Sequence, residues 1–125
     1  MLRFPKVCTR LLTVAAARAL FGDDHVHCLL VVEDGRLLAV VERHDLEGAD
    51  PRLPAWPTGR LSGRVVRPGA DLETTRQAML AEPRRRLAVV GDGGELLGLL
   101  CLKRTGSGFC SDADVRARAA ERGRV

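Results

Sequence analysis

The chain repeats itself at an offset of 58 residues, and that duplication restricts it to folds built from two copies of one supersecondary unit. Val7-Cys8-Thr9-Arg10-Leu11-Leu12-Thr13 aligns with Val65-Val66-Arg67-Pro68-Gly69-Ala70-Asp71. Val14, Ala17, Leu20 and Phe21 align with Leu72, Thr75, Ala78 and Met79. Leu29-Leu30-Val31-Val32-Glu33-Asp34 aligns with Leu87-Ala88-Val89-Val90-Gly91-Asp92. After one inserted glycine, Leu37-Leu38-Ala39-Val40-Val41 aligns with Leu96-Leu97-Gly98-Leu99-Leu100.

Each copy reads in the same order. An extended lead-in covers 6–9 and 64–67. A helix follows, with Thr13 and Asp71 as N-caps whose side-chain oxygens accept from first-turn amides. Val14, Ala17, Leu20 and Phe21 form one helical face. Gly22-Asp23-Asp24 ends the first helix, and Glu82-Pro83 ends the second, because the residue before proline disfavours helix. Cys28 to Val32 is a continuous apolar run, as in a strand covered on both faces. Glu33-Asp34-Gly35-Arg36 is a hairpin turn, and Leu37 to Val41 is the return strand. In the second copy the turn is Gly91-Asp92-Gly93-Gly94. A short helix begins near His44. Residues 48–60 hold three prolines and two glycines and read as an extended linker packed through Trp56. Thr105-Gly106-Ser107-Gly108 is a loop, and Ser111 with Asp114 is a capping box for a polar helix to about Arg122. The two units are residues 1–57 and 58–125.

Composition narrows the function. The 46% of apolar residues supports a real core. A net charge of +4 is mild. Tyrosine is absent, which argues against a base-stacking surface and so against a nucleic-acid role. The four cysteines show no CxxC spacing, and three lie in apolar runs, so buried thiols in a reducing cytoplasm are expected. No apolar run reaches the ~18 residues of a membrane helix. The start, with Arg3, Lys6 and Arg10 before an apolar stretch, imitates a leader peptide. Arg18 interrupts it, and the segment is the first part of the repeat, so it reads as mature structure.

Strand, helix, strand, Asp-Gly turn, strand and charged helix start is an order that resembles the CBS domain. The stretch Leu29-Leu30-Val31-Val32-Glu33-Asp34-Gly35-Arg36-Leu37-Leu38-Ala39-Val40-Val41-Glu42-Arg43-His44-Asp45-Leu46 is similar to that family's signature, and so is Arg85 to Leu100. The resemblance covers about 3–48 and 61–104. It implies an α/β fold of two β-α-β-β(-α) CBS repeats packed with pseudo-twofold symmetry, called a Bateman module, with a cleft that often binds adenine nucleotides. It implies a hydroxyl residue, two variable residues and an Asp that holds ribose hydroxyls. In the first copy that stretch is Glu42-Arg43-His44-Asp45, so Asp45 matches and Glu42 replaces the hydroxyl. In the second it is Cys101-Leu102-Lys103-Arg104, where neither matches. Leu30 and Ala88 stand where the family has proline.

The residue chemistry agrees in part. A carboxylate at a strand end accepts hydrogen bonds from a cis-diol. Backbone groups of the lead-ins, at Val7 to Thr9 and Val65 to Arg67, can meet an adenine edge between apolar walls. Phosphates need donors, which Arg84, Arg85, Arg86, Lys103 and Arg104 supply. Glu42 repels phosphate unless an arginine neutralises it. The candidate ligand residues are therefore Asp45, Arg43, His44, Val7, Thr9, Val65, Arg67, Arg85, Arg86 and Arg104, and the candidate ligand is AMP, ADP or ATP with no required cofactor.

Plainer readings stand beside these. Asp45 suits an N-cap of the short helix. Arg84-Arg85-Arg86 suits a solvated run. His25, His27, Cys28 and His44 lack the fixed ligand spacing of a metal site. Cys101 in its apolar run is inert, and Cys110 is the more reactive candidate. Arg116, Arg118, Arg122 and Arg124 are interleaved with acids, as on a solvated helix. No catalytic constellation or phosphate loop is present, so no enzyme is expected. Two functions lead: a stand-alone regulatory nucleotide sensor signalling in trans, as a homodimer, or an interaction module without ligand; a third, a DNA-contacting module, rests only on charge.

Overall fold

A computed structural model describes residues 6–82, 84–103, 105–106 and 108–109. Two three-stranded sheets of identical order form its frame. In the first repeat, β1 (Val7–Cys8) runs parallel to β2 (Cys28–Glu33), which pairs antiparallel with β3 (Arg36–Glu42). In the second, β4 (Val65–Val66) runs parallel to β5 (Arg86–Val90), which pairs antiparallel with β6 (Leu96–Cys101). Helix α1 (Val14–Leu20) crosses from β1 to β2, and α2 (Leu72–Ala81) from β4 to β5. The lead-ins are thus short parallel strands, since a helical crossover joins each to its neighbour.

The caps form as expected. Thr13 Oγ1 accepts from the Ala16 amide at 3.1 Å, and Asp71 Oδ2 from the Thr74 amide at 3.0 Å. The first hairpin has positive φ at Asp34 (53°) and Gly35 (77°), the pair of angles an Asp-Gly two-residue turn requires. In the second turn, Gly94, with φ of 86°, takes the left-handed conformation.

The apolar run of β2 is covered on both faces. Leu29 and Val31 pack with Val14, Ala17, Phe21 and Val41 beneath α1. Leu30, with Val32 alongside, points the other way into a core shared with Ala88, Leu99 and Cys101 of the second repeat. A bulge at the same place in each hairpin sets this division. Pairing skips Leu38 between Leu37 and Ala39, and Leu97 between Leu96 and Gly98. The extra residue puts Leu37 and Val40, three apart, on one face against the shared core.

At one end of this interface the two turns exchange hydrogen bonds. Leu37 N–H donates to Gly94 C=O at 2.9 Å, and Leu96 N–H donates to Gly35 C=O at 3.0 Å. Leu37 and Leu96 occupy the same position in the repeat, so the exchange is reciprocal, as a pseudo-twofold demands.

The linker packs through Ala55, which is fully buried, while Trp56 is 37% exposed. The expected Trp56 anchor is therefore corrected. Linker carbonyls of Leu53 and Pro51 accept from the Val14 and Ala15 amides, which would otherwise be unpaired at the start of α1. A tight approach at Gly59 lets Arg60 pair with Val40 at the free edge of β3. The predicted capping box at Ser111, the polar helix after it and Cys110 lie outside the described residues.

Candidate functional site

Opposite the turn exchange, the interface closes on charge. Glu42 ends β3, and Arg43–Leu46 forms a single 3₁₀ turn after it. Asp45 is the third residue of that turn, and its Oδ2 reaches back to accept from the Glu42 amide at 2.7 Å. It is thus the back-reaching partner of a capping box, with Glu42 at the N-cap position, which corrects the N-cap reading of Asp45.

Arg64, just ahead of β4, fills the space in front of Asp45. Its guanidinium donates to both carboxylate oxygens, at 2.5 and 2.9 Å, and to the Val40 carbonyl at 2.7 Å, and lies 3.1 Å from Glu42. The Arg64 side chain is 1% exposed and that of Asp45 10%. Arg84 of the second repeat hydrogen-bonds the other Glu42 oxygen. Two acids of the first repeat therefore meet two arginines of the second. Burial alone would raise the Asp45 carboxyl, but the Arg64 hydrogen bond and charge, with the Glu42 amide, outweigh it and hold Asp45 below its ordinary value. The hydrogen bond to Asp45 in turn raises Arg64 against the effect of burial.

The other expected ligand residues scatter. Arg43 donates to the Phe21 and Val26 carbonyls at 2.9 and 3.1 Å and lies over the Phe21 ring, so it ties the end of α1 to β3. His44 is exposed, 3.5 Å from Asp45. Val7 and Thr9 lie on the exposed first lead-in, where Thr9 Oγ1 accepts from the Leu11 amide. Val65 packs against the shared core. Arg67 is largely exposed and pairs with Asp92. Arg85 donates to the Leu102 carbonyl and Arg86 to the Arg85 carbonyl. Arg104 lies outside the described residues. Arg86, Arg85 and Arg43 act together on His27, whose ring is pushed down to about 4 by burial first and by these charges next. Burial pushes the Cys28 thiol up to about 11. Among the described residues, no group of three His, Cys, Asp or Glu side chains is placed to share a metal ion.

Two hollows lie at equivalent places beside the two helices. The first, about 250 Å³, is lined by Arg18, Phe21, Gly22, Arg43, Leu46 and Glu47. The second, about 260 Å³, is lined by Met79, Leu80, Leu102, Thr105 and Gly106, with Arg84, Arg85 and Lys103 as its cations. A residue pair unnoticed in the sequence frames them. Arg18 donates to the Leu46 carbonyl at 2.8 Å, and Arg76, its repeat counterpart, donates to the Gly106 carbonyl at 2.8 Å. Each arginine clamps the loop after the last strand onto its helix. The hollows differ in charge. Glu47 lines the first, whose two arginines serve backbone carbonyls. Among the described residues, the second has no acid in its lining.

Comparison with known proteins matches this architecture. Residues 1–51 match the CBS-domain family model. This is a CBS-pair fold, with its first repeat a member of the CBS-domain family. The chain is similar to the CBS pair domain of a putative Mg2+ transporter from Shewanella oneidensis, at 25% identity and TM-score 0.68, covering 94% of this chain and 67% of that one. It is similar to CBSX2 in complex with AMP, at 26% identity and TM-score 0.64, covering 94% and 89%. It also resembles the cytosolic domain of the Mg2+ channel MgtE in complex with ATP, at 26% identity and TM-score 0.58, covering 77% of this CBS pair and 41% of that chain. No curated protein matches the sequence significantly. Among the described residues, no helix is long and apolar enough to cross a membrane.

Proposed function

We propose that this CBS pair is a regulatory module that takes an adenine nucleotide at its second repeat, in the hollow between α2 and the end of β6. The observation that carries this reading is the lining of that hollow, which among the described residues holds three cations and no acid. Arg84, Arg85 and Lys103 meet there beside an apolar floor of Met79, Leu80 and Leu102. Guanidinium and ammonium groups pair with phosphate oxygens, and apolar side chains suit the face of a base. At about 260 Å³ the hollow is slightly below the usual ligand pocket of roughly 300–1,000 Å³, so part of the nucleotide rests over the surface. Similar solved structures hold AMP or ATP. This reading does not use Asp45 as the ribose anchor, since Arg64 hydrogen-bonds both its oxygens. The nucleotide regulates by its differential affinity for two states of the pair. A partner protein reads that difference in trans, in the cytoplasm, with the module as a homodimer.

A second reading, an interaction module without ligand, is favoured by the same Arg64 contact, which fills the expected ribose site from within. Thermal unfolding with millimolar AMP and ATP separates the two. A ligand of the folded state raises the midpoint. The nucleotide reading expects a rise that Lys103→Glu abolishes and Asp45→Asn retains. No rise with either nucleotide establishes the ligand-free reading.

A further inference from the structure

Arg84 belongs to two places at once. It lines the hollow beside α2, and it hydrogen-bonds Glu42 at the end of β3 in the other repeat. Its side chain is 18% exposed, and its Nε is buried without a hydrogen-bond partner among the described residues. The other cations of the hollow are differently held. Arg85 is anchored on the Leu102 carbonyl of its own repeat, and Lys103 is exposed. Glu42 has a second cation in Arg64, at 3.1 Å, so it can release Arg84 without being left as an uncompensated charge.

We propose that Arg84 is the switch that connects the hollow to the first repeat: a phosphate-bearing ligand in the hollow competes with Glu42 for its guanidinium, so that binding loosens the ionic end of the inter-repeat interface. This rests on the nucleotide site proposed above and adds the route by which that site speaks to the rest of the molecule. Glu42 is well placed to carry the change. It sits opposite Cys28 at the end of the sheet and donates its amide to Asp45, so its release reaches the 3₁₀ turn and the Arg64 contact behind it. The turn exchange at the far end, made of backbone hydrogen bonds, stays closed and keeps the repeats together. Coupling of this kind is reciprocal: whatever removes Glu42 from Arg84 must tighten the ligand by the same factor.

The test is a calorimetric titration of the full chain with ATP, on the native protein, Glu42→Gln, Arg84→Gln and the double variant. Glu42→Gln keeps the shape of the side chain and removes the competing charge. It is expected to bind ATP about tenfold tighter than the native chain, within the range ordinary for linked sites. Arg84→Gln is expected to bind more weakly than the native chain, and adding Glu42→Gln to it should give no gain. A gain of equal size in both backgrounds means a plain field effect of the lost carboxylate and overturns the switch. Equal binding by the native chain and Glu42→Gln overturns it too, while leaving the nucleotide site standing. Binding by neither removes the site and the switch together. If Glu42→Gln does not fold, amide exchange on the native chain decides: ATP should speed exchange over 42–47 and leave 29–31 unchanged, and unchanged exchange over 42–47 overturns the proposal.

Discussion

Replacing Arg64 with Met should be among the most damaging single substitutions on this chain. The guanidinium serves Asp45 twice, Glu42 once and the Val40 carbonyl once, from a position 1% exposed to solvent. Methionine fills much of the space but leaves Asp45, itself 10% exposed, facing an apolar side chain. Glu42 keeps Arg84, so the loss concentrates on Asp45. Removing one partner of a buried ion pair costs about 3–5 kcal/mol. That is a large part of the ~5–15 kcal/mol that holds a typical domain folded. For a chain of this size it corresponds to a fall in midpoint of roughly 10 to 20 °C. Urea unfolding of the native and variant chains measures it. Arg67→Met is the control: Arg67 pairs with Asp92 at 2.5 Å, but the two side chains are 78% and 92% exposed, and its loss should stay within about 0.5 kcal/mol. Acid titration adds a second signature. Asp45 titrates below its ordinary 3.8 in the folded chain, so its share of stability is complete above that value and is lost as pH falls through the lower folded one. Arg64→Met should remove that part of the acid slope. A cost below about 1 kcal/mol would refute the reasoning, because it would mean that water reaches Asp45 as easily as Arg64 does.

Two further outcomes follow from local geometry. Gly59→Ala puts a methyl group 2.7 Å from the Val40 carbonyl oxygen and 2.8 Å from Val41 Cγ2, and should cost about 1–3 kcal/mol by thermal unfolding, whereas Gly69→Ala meets open space and should be near neutral. His27, with a folded value of about 4 against an ordinary 6.5, stabilises the chain in its neutral form above 6.5 and loses that contribution as pH falls toward 4; its imidazole resonances followed through an acid titration should place its midpoint well below 6.5, and should move it upward in Arg86→Ala.

Much of the fold was legible because the duplication tests each local signal twice. Thr13 and Asp71 differ in chemistry but share a position, and both cap their helices. The Asp34-Gly35 pair named its own turn. The bulges at Leu38 and Leu97 were hidden, because a run of apolar residues carries no alternation from which a face could be read. Trp56 was the natural anchor by size, yet the linker turns on Ala55, which is fully buried where its amide donates to the Leu12 carbonyl. At the site, the motif located Asp45 correctly at a strand end and said nothing of what would face it. Arg64 opens the second lead-in, where Lys6 is its repeat counterpart, and a basic residue there reads as solvated. Its burial depends on Glu42 and Asp45, which come from the other copy. Long-range charge pairing leaves no periodicity in a sequence, and the Arg18 and Arg76 clamps escaped notice for the same reason, although they share the offset of the repeat.

Chemical-shift mapping with ATP on the uniformly labelled chain tests the functional reading most directly. The account predicts that amides at 79–80, 84–86, 102–103 and 105–106 move first and furthest, around the hollow lined by Arg84, Arg85 and Lys103. Shifts confined to Val7–Thr9 and to the 3₁₀ turn at Asp45, with the second repeat silent, would contradict it, and so would a spectrum that ATP leaves unchanged.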